Sequence, residues 1–388
     1  MPTPPAAPRH PHTETRNGEL VRDDYAWLRQ RDDPGVRAYL EAENAYTEAA
    51  TAPLQPKVEA LYQEMLGRIQ QTDLSLPVKR GRYTYYSRTE EGKQYPIHCR
   101  RALAAAGAPD PVPEETLLDL NLLAQGHGFL ALGASAISDD AHSLAYTLDT
   151  TGMRRYRLEV KDLRTGALLA DSAERVTSVE WAADNQTLLY TTEDPITKRS
   201  DRLWRLRLGS VAEQVHYEAD EMYHIAVQRT RDRRYLLLGI AATDSTEFRY
   251  LAADDPQSAL QLFLARRRDH KYDLDHRGGQ FYIRTNLGAK NFRVATCPAA
   301  ATAPEQWREF LPHDPAVLID GLELFQDWAV VGEKHEALDR LRVFEFSTGA
   351  WRTIAFPEPV YALGPSANPE FDAAEFRYQY QSPVTPAS

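Results

Sequence analysis

Two serines follow a glycine in a way that invites a nucleophile, in Gly133-Ala134-Ser135-Ala136-Ile137 and in Gly364-Pro365-Ser366-Ala367-Asn368. The strained turn that presents a hydrolase serine needs glycine on both sides, and each string lacks the second one. Both are expected to be turns between strands. The densest cluster of titratable groups is Asp269-His270, Asp273 and Asp275-His276. At strand period Asp273 and Asp275 share a face near His270, which is open to metal or acid–base chemistry. Hydrogen bonding at strand ends is the favoured reading. His10 and His12 lie in a proline-rich tail, and neither His-Glu-x-x-His nor a paired Cys-x-x-Cys occurs, so no metal is expected. Gly278-Gly279 reads as a hairpin turn and not a phosphate loop, and no cofactor is expected. Arg154-Arg155 beside Tyr156, and Arg199 with Arg202, are positive spots on an acidic chain. Arginine pairs bidentately with carboxylates, so these could meet a partner domain or a substrate; a solvated strand flank is the plainer alternative.

The chain has 388 residues, with 45 Lys+Arg against 56 Asp+Glu and a net charge of −11. That balance argues against nucleic acid or an anionic membrane as partner. A hydrophobic share of 43% and a charged share of 26% are those of a folded globular protein. Cys99 and Cys297 are too few for a disulfide framework, and a reducing, cytoplasmic compartment is expected. The N-terminus lacks the apolar core of a secretory signal. The longest apolar stretch, residues 235–242, is far shorter than a bilayer span, so a soluble protein is expected.

The elements that must position these residues change character near residue 72. Before it the pattern is helical. Asp33 offers a capping carboxylate ahead of Pro34, and Val36, Tyr39 and Leu40 share a face. After Pro53 and Pro56, Val58, Leu61, Tyr62, Met65, Leu66 and Ile69 recur at three- and four-residue spacing. Each helix carries an apolar face that needs burial. Beyond residue 72 short β-rich runs follow one another, among them 83–86, 144–148, 188–191, 235–240, 281–285 and 329–332. An acidic turn before an apolar strand repeats at Ser138-Asp139-Asp140, Ala183-Asp184-Asn185 and Arg231-Asp232-Arg233. Its middle aspartates stand 45 and 48 residues apart. Asp162-Leu163-Arg164-Thr165-Gly166 and Glu345-Phe346-Ser347-Thr348-Gly349 look like one hairpin turn, 183 residues apart. Such a period, with four strands to each repeat, predicts a β-propeller. The expected organisation is an α-helical segment over 1–72 and a mainly β propeller over 73–388, with six blades and part of a seventh.

Specific strings then resemble a known family. Asp23-Asp24-Tyr25-Ala26-Trp27-Leu28-Arg29, followed by Pro34, Val36, Tyr39-Leu40 and Glu43-Asn44-Ala45-Tyr46, is similar to the opening of the prolyl oligopeptidase family, most of all its oligopeptidase B branch. Glu91-Gly92-Lys93-Gln94-Tyr95-Pro96-Ile97, Arg154-Arg155-Tyr156 and Ser200-Asp201-Arg202-Leu203-Trp204-Arg205 resemble that branch too. So do Asp269-His270-Lys271-Tyr272, Phe281-Tyr282-Ile283-Arg284 and Lys290-Asn291-Phe292.

The resemblance implies a seven-bladed propeller that caps an α/β-hydrolase domain and gates it, with the N-terminal helices packed on that domain. It also implies a cytosolic serine peptidase acting on short peptides, cleaving after Arg or Lys. Short basic peptides would then be the substrates. The family's catalytic serine, aspartate and histidine lie after the propeller, so no catalytic residue is carried onto this chain. Arg154 and Arg155 match an arginine motif at the interdomain face, which implies contact with substrate or with the catalytic domain. The alternative is a free-standing propeller that binds a protein or peptide without catalysis.

Overall fold

The computed structural model describes residues 3–104 and 112–388. It divides into two compact units, Met1–Gln71 and Thr72–Ser388.

In the first unit, α1 (Pro34–Thr51) starts where Asp33 accepts a hydrogen bond from the Gly35 N–H at 2.6 Å. Proline at its first position loses no hydrogen bond there. Pro53 and Pro56 do not separate the helices by a loop. They fit the first turns of a short 3-10 segment, Ala52–Leu54, and of α2 (Gln55–Leu66). Val36 is buried, whereas Leu40, Val58, Leu61, Tyr62, Met65 and Ile69 are exposed. The region is not wholly helical. Thr13–Arg16 and Glu19–Arg22 form a hairpin around Asn17-Gly18, both with positive φ, as a tight two-residue turn requires. The proline-rich segment ahead of it packs on Trp27, whose Nε1 donates to the Pro8 carbonyl at 2.9 Å.

The second unit is built of antiparallel sheets in sequence order. Six have four strands and span residues 78–119, 131–173, 176–217, 224–264, 272–311 and 317–353; a two-stranded sheet, Ala362–Pro365 with Tyr378–Gln381, follows. These are blades 1 to 7 of the propeller. In blades 2 to 6 the second strand carries a buried apolar run, as in Leu188-Leu189-Tyr190 and Leu236-Leu237-Leu238, because both of its faces are covered by neighbouring blades. In blade 1 the second strand, Tyr83–Arg88, is more polar and only half-buried. The hydrophobic clusters lie between blades and not within them. Leu158 and Val160 of blade 2 pack with Val179, Trp181 and Leu188 of blade 3, and Leu237 and Tyr250 of blade 4 pack with Leu274 and Phe281 of blade 5. A helical turn, Leu120–Leu123, capped by Asp119, interrupts the strands between blades 1 and 2.

Side chains reinforce the seams by donating to backbone carbonyls of an adjacent blade. Arg80 reaches the Ile137 carbonyl at 2.8 Å, Trp181 Nε1 the Ala136 carbonyl at 3.0 Å, and Arg284 the Ile319 carbonyl at 3.0 Å. Blade 7 meets blade 1 through the Gly81 N–H, which donates to Glu370 Oε1 at 2.9 Å, and through Arg377 donating to the Pro77 carbonyl. After Gln381 the chain reverses, and Ser388 and Tyr380 exchange backbone hydrogen bonds of 2.9 and 3.0 Å.

The meander defines two ends. Innermost strands begin at what we term the upper end, which also carries the loops between second and third strands. They finish at the lower end, with the loops between first and second strands.

Candidate functional site

Arg154 and Arg155 sit on the upper end, in the loop between Ser143–Asp149 and Arg157–Asp162 of blade 2. The loop is not free to wander. Asp149, 1% exposed, closes the strand, and its carboxylate accepts from Thr151 Oγ1 at 2.6 Å, the Thr151 N–H at 2.8 Å and the Arg154 N–H at 2.7 Å. Burial works against this charge. The hydrogen bonds from Thr151 and from the Arg154 and Arg155 backbone prevail and hold the carboxyl below its ordinary range. Arg154 takes a positive φ of 56°, so the chain turns sharply where the two guanidinium groups leave it.

Below the loop, Tyr156 lies against Gly133. A Cβ there would come within 2.5 Å of Thr147 Oγ1 and 2.7 Å of the Tyr156 ring, so only glycine fits. Both arginine side chains are exposed, and neither meets an acidic side chain among the described residues. Exposed Met153 precedes them, and half-exposed Phe129 packs beside Gly152. The result is two exposed cations on a fixed backbone with an apolar flank, suited to binding a carboxylate.

The other arginine pair is committed. Arg199 donates to the carbonyls of Glu218 at 3.0 Å and Tyr223 at 2.9 Å, and Arg202 pairs with buried Asp201 at 2.8 Å. The aspartate–histidine cluster is also structural. His270 Nε2 meets Thr285 Oγ1 at 2.9 Å, its ring stacks on Tyr272, and burial, helped by the Arg267 charge, pushes its pKa down to about 4. Asp273 pairs with Arg284 at 2.6 Å. Asp275 Oδ1 accepts from the N–H groups of Arg231 at 3.0 Å and His276 at 2.8 Å. His276 Nδ1 contacts Asp232 at 2.5 Å. The bonds from Asp275 to the Arg231 N–H and from His276 to Asp232 tie blade 5 to blade 4. Among the described residues, the hydroxyls of Ser135 and Ser366 are hydrogen-bonded to no histidine, so neither forms a nucleophile–base pair.

Sequence reasoning missed a second constellation. The propeller axis holds a cavity of about 1140 Å³, lined in part by Arg80, Glu180, Arg229, Arg231, Arg233 and Asp275. Its signal in the sequence is the turn Arg231-Asp232-Arg233, with a second arginine pair, Arg80 and Arg82, at the matching turn of blade 1.

Six complete four-stranded blades and a two-stranded seventh define a β-propeller. Residues 5–388 match the family described as prolyl oligopeptidase, N-terminal beta-propeller domain, and the chain belongs to that family. It is 37% identical over 407 residues to dipeptidyl aminopeptidase BI of Pseudoxanthomonas mexicana, covering 100% of this chain and 56% of that protein. It is 31% identical to protease 2 of Moraxella lacunata, covering 98% of this chain and 56% of that protein. Among solved structures, oligopeptidase B from Trypanosoma brucei with covalently bound antipain superposes with a TM-score of 0.89 at 26% identity, over 99% of this chain and 58% of that one. Oligopeptidase B from Leishmania major superposes with a TM-score of 0.90 at 23% identity, a likeness of fold. The chain thus spans a little over half the length of the relatives it matches. No helix among the described residues is long and apolar enough to cross a membrane.

Proposed function

We propose that this chain is the gating part of a serine peptidase of the oligopeptidase B type, one that cleaves short peptides after Arg or Lys. In this reading catalysis belongs to an α/β-hydrolase domain outside residues 1–388. That domain packs on the helical segment over 1–72, whose α1 and α2 expose Leu40, Val58, Leu61, Tyr62 and Met65. The propeller over 73–388 excludes folded proteins, and Arg154 and Arg155 engage a carboxylate of the substrate or of the hydrolase domain. The observation that carries the reading is the strapped loop. A buried carboxylate fixes the backbone of a loop whose two exposed arginines meet no acidic side chain among the described residues, which supports an outside anion as their partner. The two free, buried cysteines suit a cytoplasmic setting.

The 37% identity to a protein named as a dipeptidyl aminopeptidase favours a second reading, in which dipeptides are removed from a free N-terminus. Blocked and unblocked Arg-containing peptides separate the two readings. In the protein as its source cell makes it, Arg154→Ala with Arg155→Ala is expected to lower kcat/KM for an Arg-peptide by about tenfold or more, the cost of one lost charge-assisted contact. An unchanged kcat/KM removes the arginines from the site.

A further inference from the structure

The lower end of the channel is crossed by side chains that do not belong to neighbouring blades. Arg229 of blade 4 pairs with Asp139 of blade 2 at 3.0 Å, and Arg233 of blade 4 pairs with the same carboxylate. Arg231 of blade 4 pairs with Glu323 of blade 6 and donates to the Asn368 carbonyl at blade 7. Blades 4 and 7 stand three places apart one way round the ring and four the other, the greatest separation seven blades allow. A side chain joining them runs across the axis and not along the wall. Arg231 also lies over the Phe325 ring, with its guanidinium carbon 4.7 Å from the centroid, which holds its stem against blade 6. Arg80 of blade 1, bonded to the Ile137 carbonyl, fills the side between blades 1 and 2.

Each cation here has an anionic or carbonyl partner. The Asp139, Arg229 and Arg231 side chains are at most 26% exposed, where screening by salt is weak. Packed, paired arginines of this kind hold one geometry better than a ring of solvated lysines would.

We propose that the arginines of blade 4 form a plug that shuts the lower mouth of the propeller, so that molecules reach the central cavity from the upper, arginine-loop end. The plug is independent of the peptidase reading, since it concerns access to the cavity and not what is cleaved.

Length-matched cross-linking on this chain tests it. Ser135→Cys places a thiol on the cavity wall. Met153→Cys supplies an anchor on the upper rim and Asp327→Cys one on the lower rim. A flexible bis-maleimide, attached first at either anchor, should join the upper anchor to residue 135 and fail to join the lower one. Adding Arg231→Ala with Arg233→Ala should create the lower cross-link while the upper one persists, which also reports an intact propeller. If that pair unfolds the chain, Asp139→Asn with Glu323→Gln loosens the same plug with little change of shape. A lower cross-link forming as readily as the upper one in the intact plug would overturn the proposal, as would its continued absence once the plug is removed in a folded variant.

Discussion

Two groups of arginines in one propeller have opposite surroundings. Arg154 and Arg155 at the upper end are exposed and meet no acidic side chain among the described residues, and the loop that carries them is held by its own backbone through Asp149. Arg229, Arg231 and Arg233 at the lower end are drawn inward, and their guanidinium groups are the fastening. In the first group the protein fixes the backbone and leaves the charge unused; in the second it uses the charge to fix the backbone. A cation that stabilises nothing within the fold is the better candidate for binding something outside it, and the difference predicts how each group responds to change.

The largest effect is expected at the lower end. Arg229→Ala takes one of two arginine partners from Asp139 and the donor from the Trp181 carbonyl and should lower unfolding stability by about 1–3 kcal/mol, the cost of leaving a buried acceptor unmet. Urea denaturation measures this, and a loss no larger than that of Arg154→Ala would erase the contrast between the two groups.

Acidity sharpens the comparison next. Burial raises Asp275 to about 6, against the pull of the Arg231 and His276 N–H groups and the Arg231 charge, with the Asp232 carboxylate adding to the rise. A carboxyl whose folded pKa lies above its unfolded value binds its proton more tightly when folded. The native state is therefore favoured at low pH and loses that advantage as pH rises from about 4 through 6. Asp275→Asn keeps the Oδ1 acceptor and should stabilise the chain by ~1–3 kcal/mol at pH 8, with little change at pH 4. Equal stability of wild type and variant at both pH values would show that this carboxyl does not titrate in that window.

Gly133→Ala should cost about 1–3 kcal/mol, because the added methyl meets Thr147 and Tyr156 under the upper loop. Hydrogen exchange in residues 150–156 should quicken with it, while exchange in 229–233 stays unchanged. Exchange rising in both segments would mean that the two ends are coupled and not separate devices. The smallest effect belongs to Arg154→Ala with Arg155→Ala, expected within about 0.5 kcal/mol of wild type, since no internal contact of either side chain is lost.

The propeller was legible because its signals are local. An acidic turn such as Ala183-Asp184-Asn185 bonds to its own next residues, with Asp184 accepting from the Thr187 N–H at 2.8 Å, and the apolar strand after it is covered on both faces. Both facts repeat along the chain within a few residues of each other. Helix α1 was legible for the same reason, in Asp33 and Pro34. The hairpin at Asn17-Gly18 was masked by polar strands that bury almost nothing. Arg154 and Arg155 stood out only as adjacent charges; that Asp149 straps them depends on a turn in three dimensions. The plug was illegible because its partners lie about 90 or more residues apart, as with Arg229 and Asp139, and only ring closure brings them together.

The central claim is that this propeller serves a serine nucleophile lying outside residues 1–388. Capturing the endogenous product with an antibody to the chain, labelling it with a fluorophosphonate and mapping the modified residue tests that claim directly. The account predicts one labelled serine in sequence absent from residues 1–388, with hydrolysis of Arg-peptides lost on labelling. A labelled serine within residues 1–388, or a product that neither labels nor cleaves, would contradict it.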